Sequence, residues 1–383
     1  MEHIKKNLQQ HIETLCLEFG SRHSGSEGER AAAAYIEKYF TDLGLETASE
    51  EYPSRGWHFE YFQLYNVTKA RPVQGVTSAC FFSASVDLTG EFLFISNADL
   101  QKLSELPVQG RMCLLSNCTG YNRNTLAEEL EKLGAAAALF TCSNSGESAN
   151  TKISRSPYIT RIGTAALSLS ASYDIAKNAS DTYHLCMKAH SFDTTSRNVV
   201  ARIGSGSKKC VVGGHYDTAP LIQGANDNAS GTAMVLELAR LMTGRQLPFT
   251  LEFVAFSGEE YCDTNIPAGS SAYMEQHKNE DILWYLNCDS CADPFTATSL
   301  CLGLMEKLPP LVCEHPTVEK TAGGDNVTFC SAGIPAVWLR SVPGFSLLHT
   351  QEDTVDKLDF DIVAKNFLDI YHILDQLIAA TTV

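Results

Sequence analysis

Short apolar runs alternate with amphipathic stretches along the second half of the chain. The runs CVVGGHYD, LEFVAFS, ILWYLNCD and IPAVWLRS predict strands, and the stretch 231–243 predicts a helix after the first of them. A closing helix is predicted from Asp359, because apolar side chains recur at helical spacing from Ile362 to Ile378. Strands that alternate with helices indicate an α/β fold, with a mixed, largely parallel sheet sandwiched by helices.

Two further helices are predicted near the start of the chain. The first covers residues 4–19, and the second covers residues 26–43, with Ser26 and Glu29 at the spacing of a capping box. The segment LETASEEYP that follows predicts an edge strand.

The character of the sequence changes between these helices and the α/β region. Short β-like runs such as EFLFIS and RMCLLS predominate there, one helix is predicted at 125–133, and the segment has no cluster of residue types suited to a metal. A chain of 383 residues is also too long for one small core. We therefore expect one domain built from 1–58 and 193–383, with 59–192 as an inserted β-rich domain.

Charge and composition narrow the set of partners. The formal net charge is −16, which argues against nucleic acids and anionic membranes. No apolar run approaches the length of a membrane-spanning helix, and the first ten residues lack the apolar core of a signal peptide. The 13 cysteines follow no secreted-type framework, so we expect reduced thiols and a cytoplasmic location. The sequence gives no indication of the oligomeric state.

Acidic and imidazole side chains gather where the predicted strands end. In parallel α/β sheets the carboxyl ends of the strands meet at one edge, where ligands bind. This rule selects seven candidate site residues, which are His215, Asp217, Asp227, Glu259, Glu260, Asp289 and His349. Three other histidines, His58, His277 and His315, have no evident partners and are interpreted as surface residues.

The chemistry of five of these residues suits a pair of zinc ions. Imidazole nitrogen and carboxylate oxygen bind zinc at about 2.0–2.2 Å, and the predicted ligands are His215, Asp227, Glu260, Asp289 and His349. Two cations about 3.5–4 Å apart need a bridging anion, and Asp227, in the loop GANDNASG, is the best candidate. Sites of this type also accept cobalt or manganese.

Two carboxylates are predicted to act catalytically beside the ligands. Glu259 precedes the ligand Glu260, so it points elsewhere and can take a proton from a water molecule. Asp217 lies two residues after His215 and can accept the second N–H of its ring. Asp353, four residues after His349, either does the same for that ring or shapes the local turn.

Six motifs in this order resemble a known family. GGHYDT, GANDNASG, FSGEE, NCD, GIPAVWL and LHTQEDT are similar to those of the co-catalytic di-zinc aminopeptidases, the clan MH family of leucyl aminopeptidases and relatives of glutamate carboxypeptidase II. The similarity covers residues 195–360 and extends to SRHSGSEGERAAAAYI near the start. Within 59–192, VQGRMCLLSNCTG followed by LEKLGAAAALF resembles a protease-associated insert.

The resemblance implies a role for each residue. One zinc is expected on His215 and Asp289, the other on Glu260 and His349, with Asp227 between them. Glu259 is the implied general base, and the peptide bond after Asp227 is expected to be cis.

The sequence departs from the family pattern at two places. Leu348 stands where many members have a tyrosine that stabilises the oxyanion, and Gly324-Asp325-Asn326 replaces Ser-Asp-His. Asn326, Arg340 and a more distant tyrosine are the candidates for replacing that tyrosine.

We expect an aminopeptidase that removes amino-terminal residues from peptides, with a water held between the two metals as the nucleophile. Three alternatives stay open. A carboxypeptidase would need paired arginines facing the substrate carboxylate, and only Arg340 is evident. A glutaminyl cyclase-like transferase is compatible with the same scaffold. A non-catalytic binding or receptor-like relative would be expected to lose ligands, and none of the five is lost.

Overall fold

A computed structural model describes residues 1–116, 118, 121–141, 161–260, 267–320, 323–342 and 347–382. Its strands, in chain order, are β1 Glu46–Asn66, β2 Arg71–Pro72, β3 Thr77–Ala79, β4 Val86–Gly90, β5 Phe92–Ile95, β6 Met112–Leu115, β7 Ala137–Thr141, β8 Gly163–Leu167, β9 Tyr183–Ile203, β10 Lys208–His215, β11 Thr250–Phe256, β12 Asp281–Asn287, β13 Ala297–Cys301, β14 Thr317–Lys320 and β15 Ala336–Arg340. Its α-helices are α1 Glu2–Glu13, α2 Glu27–Asp42, α3 Arg123–Lys132, α4 Leu169–Lys177, α5 Gly231–Met242, α6 Ala268–Gln276, α7 Asn326–Ser331 and α8 Phe360–Thr382.

The larger sheet is mixed. Its strand order is β14-β13-β15-β12-β10-β11-β9-β1-β2, and β4 also pairs with β9. The four central strands β15, β12, β10 and β11 are parallel, but β13, β9 and β1 join the sheet antiparallel. The predicted mixed α/β fold is confirmed, whereas "largely parallel" describes only this central part. On one side the sheet is extended by the long antiparallel strands β9 and β1, and on the other by the short antiparallel strand β13.

Helices cover both faces of this sheet because its central strands are apolar on both sides. Cys210 and Val212 of β10 belong to the core beneath α1, α2, α5 and α8, whereas Val211 between them faces the core beneath α6 and α7. Successive side chains of a strand point to opposite faces, so a continuous apolar run fills both cores. The sheet is therefore buried on both faces, and its strand ends are the accessible edge.

The two helices near the start differ slightly from their predicted extents. Helix α1 ends at Glu13 and continues as a π-helical turn at Thr14–Glu18. Ser26 caps α2 by accepting the backbone N–H of Glu29 at 3.0 Å. The Glu29 carboxylate accepts the N–H of Gly25 at 2.6 Å, one residue earlier than in a capping box.

A second sheet lies within residues 59–192. Its order is β3-β8-β7-β6-β5, with β5 to β8 parallel and β3 antiparallel. Helix α3 connects β6 to β7, and α4 leads from β8 to β9 of the larger sheet. Strands β1 and β9 pair antiparallel over their full lengths, so they run through both predicted boundaries, at 58/59 and 192/193. The division into domains stays a prediction.

One pair of cysteines departs from the expectation that all thiols are reduced. Cys301 at the end of β13 and Cys330 in α7 form a disulfide, and nine other cysteines of the described residues are free. Cys142 and Cys262 lie outside the described residues. None of the helices in the ranges given above has the length and apolar character needed to cross a lipid bilayer.

Candidate metal centre

The candidate residues converge because their strands are neighbours with the same direction. His215 is the last residue of β10, Glu259 and Glu260 follow β11, and Asp289 follows β12. His349 lies in the segment after β15, which pairs with β12 on its other side. All five thus lie at the carboxyl edge of the central parallel strands, as the strand-end rule predicts.

Three of the predicted ligands form one cluster. Donor atoms of His215, Asp227 and Asp289 all lie within 4.8 Å of one another. Nε2 of His215 is 3.2 Å from Oδ1 of Asp227 and 3.8 Å from Oδ1 of Asp289. The three residues are buried.

A second cluster shares Asp227 with the first. Nε2 of His349 is 3.1 Å from Oδ2 of Asp227 and 3.1 Å from Oε1 of Glu260. The two oxygen atoms of Asp227 therefore face different imidazoles, one in each cluster. His349 adopts a left-handed φ of +58°, a conformation that histidine tolerates more readily than most side chains.

These separations fit metal ligands. Two ligand atoms on one tetrahedral zinc, each about 2.0–2.1 Å from the ion, lie about 3.3 Å apart. The four separations of 3.1–3.8 Å in the two clusters bracket this value. Moreover, Nε2 of His215 is buried and has no partner in a hydrogen-bonding orientation among the described residues, so it is available to a cation.

The electrostatics of the first cluster favour positive charge. Burial lowers the pKa of His215, but the carboxylates of Asp217, Asp227 and Asp289 outweigh burial and raise that pKa well above its ordinary range. Burial similarly raises the pKa of Asp227, but His215 and His349 outweigh it and hold the pKa well below the ordinary range. These contacts favour a positive charge at the first cluster, which a proton or a metal ion can supply.

Asp217 contacts the His215 ring and also the backbone of the two neighbouring glutamates. The second ring nitrogen of His215, Nδ1, lies 3.1 Å from the backbone carbonyl oxygen of Asp217 and 3.4 Å from its Oδ1. The Asp217 carboxylate also accepts the backbone N–H groups of Glu259 at 3.1 Å and Glu260 at 3.0 Å. Asp217 is fully buried, so it fixes the backbone that carries both glutamates.

Asp353 holds the opposite side of the centre. Its carboxylate accepts the backbone N–H of Asn226 at 2.8 Å and that of Asp227 at 3.1 Å. Burial raises the pKa of Asp353 to about 7. These contacts hold the backbone that carries Asp227, a role that neither alternative for Asp353 included.

A buried arginine that the sequence did not single out organises the loop between these residues. Arg22 is completely buried, and its guanidinium donates to the carbonyl oxygens of Leu15, Gly20, Tyr216, Gln223 and Gly224 at 2.7–3.1 Å. It therefore holds both ends of the loop that connects His215 to Asp227. Its only sequence signal is its place in SRHSGSEGER.

The loop after Asp227 is anchored to the end of β12. The peptide bond between Asp227 and Asn228 is cis, as the resemblance implied. The Asn228 amide donates to the carbonyl oxygen of Cys288 at 2.9 Å and accepts the backbone N–H of Gly231 at 2.8 Å. This places Asp227 and Asp289 in a fixed relation.

Gly324, one of the departures from the family pattern, lies against the centre. It has a φ of +57°, and a Cβ atom there would be 3.0 Å from Oδ2 of Asp289 and 3.5 Å from Oε1 of Glu259. The carboxylates of Glu259 and Asp289 thus lie side by side against this glycine. Burial also raises the pKa of the adjacent Asp325 to about 7.

Trp338 and Arg340 border the centre at β15. The Trp338 indole donates to the backbone carbonyl oxygen of Asp289 at 2.9 Å. The Arg340 guanidinium lies 4.7 Å from the centroid of the same indole ring. Trp338 therefore supports a site residue.

The fold and the site define a mixed α/β protein with a carboxylate and imidazole centre suited to divalent cations. Residues 198–373, which include every candidate site residue, match the family described as Peptidase family M28. The matched residues make up somewhat less than half of the chain.

Two curated relatives match larger parts of the chain. The "Probable lipoprotein aminopeptidase LpqL" of Mycobacterium tuberculosis is 27% identical over 293 residues, which cover 72% of this chain and 56% of that protein. The "probable leucine aminopeptidase 2" of Aspergillus oryzae is 26% identical over 227 residues, 56% of this chain and 44% of its own length. The chain spans about half the length of these relatives.

Two solved structures resemble the whole fold. The zinc aminopeptidase BSAP of Bacillus subtilis superposes with a TM-score of 0.78 at 19% identity, covering 97% of this chain and 95% of that one. A Peptidase M28 precursor from Shewanella amazonensis gives a TM-score of 0.79 at 19% identity, covering 99% and 95%. At 19% sequence identity, these comparisons show that the fold is shared.

Proposed function

We propose that the protein is a zinc-dependent aminopeptidase that removes amino-terminal residues from peptides. The observation that carries the proposal is the shared carboxylate of Asp227, whose two oxygens each face a different histidine. The family of residues 198–373 and the aminopeptidase names of the two curated relatives support the same activity.

The proposed cofactor is a pair of zinc ions, with cobalt or manganese as substitutes. His215 and Asp289 would hold one ion, Glu260 and His349 the other, and Asp227 would contact both. The separations of 3.1–3.8 Å between their donor atoms support this assignment. When bound, the ions would lower the pKa of a water molecule and polarise the carbonyl group of the substrate.

Glu259 is the proposed general base. Its backbone is held by Asp217 at 3.1 Å, and its carboxylate lies beside that of Asp289 against Gly324. From there it would take a proton from the attacking water and return it to the leaving amine nitrogen. General base catalysis of this kind contributes about 10²–10⁴-fold to the rate.

The charge of the site supports an amino-terminal substrate. Carboxylates outnumber imidazoles among the candidate residues, and the chain as a whole has a net charge of −16. A free ammonium group at the start of a peptide would be attracted to this edge of the sheet. We propose that carboxylates around the metals bind it.

We also propose that residues 59–192 form an inserted protease-associated-like domain and that 1–58 and 193–383 form the peptidase domain. The separate sheet of β3 and β5–β8 supports this division. A cytoplasmic location is the matching proposal for a chain with nine free cysteines among its described residues.

A blocked-peptide panel tests the activity. Aminoacyl anilides and short peptides, free or blocked at either end, would be incubated with the purified protein with and without a chelator. An aminopeptidase loses cleavage when the amino terminus is acetylated and when the metal is removed. Loss on carboxyl amidation instead would support the carboxypeptidase alternative, and a metal-loaded protein that cleaves none of them would contradict the proposal.

A further inference from the structure

A second group of metal-binding side chains lies on β4 and β9. Among the described residues, Asp87, His184 and Cys186 each offer a donor atom within 4.8 Å of the others. Asp87 pairs directly with Cys186 across the two strands, and His184 is two residues before Cys186. Side chains two apart on a strand share a face, so the backbone itself brings the three together.

We propose that Asp87, His184 and Cys186 bind a thiophilic divalent cation such as Zn²⁺, at a site separate from the candidate metal centre. Thiolate, imidazole and carboxylate are the three ligand types that zinc uses in proteins. The thiolate excludes magnesium and calcium, which prefer oxygen ligands. A water molecule would complete a tetrahedral set.

The present geometry needs only a small adjustment to admit the ion. Nε2 of His184 is 2.7 Å from Oδ1 of Asp87, whereas two such ligands on one zinc lie about 3.3 Å apart. The Asp87 side chain is 78% exposed, so rotation of its carboxylate opens the gap without disturbing the sheet. Binding would release the thiol proton of Cys186 and leave the His184 ring proton on Nδ1.

The surroundings of the sulfur suit a thiolate ligand. Cys186 is only 9% exposed, and the Tyr61 hydroxyl on β1 lies 2.7 Å from its Sγ. That hydroxyl can donate to a metal-bound sulfur, as neighbours of metal ligands usually do. In the competing interpretation these residues bind no metal and make two unrelated contacts. One is a surface contact of His184 with Asp87, and the other is a hydrogen bond of Tyr61 with Cys186.

Cobalt spectroscopy separates these interpretations. Thiolate-to-cobalt charge transfer gives an absorption band that nitrogen and oxygen ligands do not, and the five proposed ligands of the candidate metal centre include no cysteine. Titration of the purified full chain with Co²⁺ should therefore produce the band in the unaltered protein, and excess Zn²⁺ should remove it. This result does not depend on the proposed peptidase activity.

Four variants test which residues produce the absorption band. Cys186→Ser should abolish it, and His184→Ala should weaken the apparent cobalt affinity by at least about tenfold. Cys313→Ser, which changes another free cysteine, should keep the band. Tyr61→Phe should keep it as well, because the three ligands remain. No band in the unaltered protein, or a band that persists in Cys186→Ser, would overturn the proposal.

A second measurement protects the test against a variant that fails to fold. In the unaltered protein, Zn²⁺ should slow the alkylation of Cys186. Mass spectrometry of the peptide that contains Cys186 measures this rate. Alkylation of Cys313 in the same sample should be unaffected. Equal alkylation of Cys186 with and without Zn²⁺ would also overturn the proposal.

Discussion

Replacing Asp217 by asparagine should impair metal binding and turnover together. One buried carboxylate accepts the backbone N–H groups of both Glu259 and Glu260. These two neighbours are the proposed base and a proposed ligand, so their positions depend on the same acceptor. Asparagine keeps the size of the side chain but offers only one oxygen, and its amide N–H₂ group then faces a backbone N–H.

The magnitude follows from the two contacts. A hydrogen bond to a charged group contributes about 1.5–3 kcal/mol, and a buried N–H left without a partner costs about 1–3 kcal/mol. The replacement loses the charge from one contact and the whole of the other, so we expect the free energy of unfolding to fall by about 3 kcal/mol. Loss of a residue that orients ligands lowers metal affinity or activity by about 10–100-fold.

The measurements are urea unfolding, competition for zinc with a chromophoric chelator, and hydrolysis of an aminoacyl anilide. Asp174→Asn is the matched control. Asp174 is a buried carboxylate outside the centre that accepts the backbone N–H of Gln74 at 2.9 Å and pairs with Arg71 at 2.7 Å. It should lose stability but keep zinc affinity and kcat/KM. If Asp217→Asn behaved like this control, the assignment of Asp217 as the support of both glutamates would be refuted.

Three further predictions concern the base, the glycine behind it and a buried histidine. Glu259→Gln should keep its zinc content by elemental analysis but lose about 10²–10⁴-fold in kcat, and near-normal turnover would exclude Glu259 as the base. Gly324→Ala should lower zinc affinity, because the added Cβ would be 3.0 Å from Oδ2 of Asp289. It should also lower the free energy of unfolding, because a left-handed φ costs alanine about 1–2 kcal/mol. Unchanged zinc affinity and stability would contradict this packing. Burial lowers the pKa of His11 to about 4. The unfolded state therefore binds the proton more readily than the folded state. The free energy of unfolding keeps the full contribution of neutral His11 above about pH 6.5 and falls as the pH drops, by about 2 kcal/mol at pH 5. His11→Gln should remove this part of the pH dependence in urea unfolding, whereas replacing the exposed His372 should not, and equal slopes in the two variants would argue against it.

The central strands and their ends were predictable because the physics that forms them is local. The runs that became β10, β11 and β12 are short, apolar and buried on both faces, so a sequence pattern identifies them. Parallel neighbours then bring their carboxyl ends together, which is why His215 and Asp289 are close although they are far apart in sequence. Strands β13 and β14 and helix α7 were not predicted, because their short segments carry no clear period.

The contacts that the sequence did not reveal join distant segments. His277 was interpreted as a surface residue, and this was wrong: it is buried between Glu50 and Glu280, at 3.1 and 3.0 Å. Burial lowers its pKa, but the two carboxylates outweigh burial and raise it. Glu50 is more than two hundred residues away in sequence, so no local pattern could pair it with His277.

The residues that support the candidate metal centre also join segments that are distant in sequence. They explain why the position of the centre depends on residues near the start of the chain. Apart from His215, which ends β10, its ligands lie on segments between the strands, which alone would leave their donor atoms free to move. Asp217 fixes the glutamates, Asp353 fixes Asp227, and Arg22 fixes both ends of the loop between His215 and Asp227. Each is a buried ionisable side chain whose partners are mainly backbone groups, so burial strengthens the contacts and also makes their loss costly. Because Arg22 precedes the second sheet in the chain while the other two follow it, the centre is positioned only when segments on both sides of residues 59–192 have folded together.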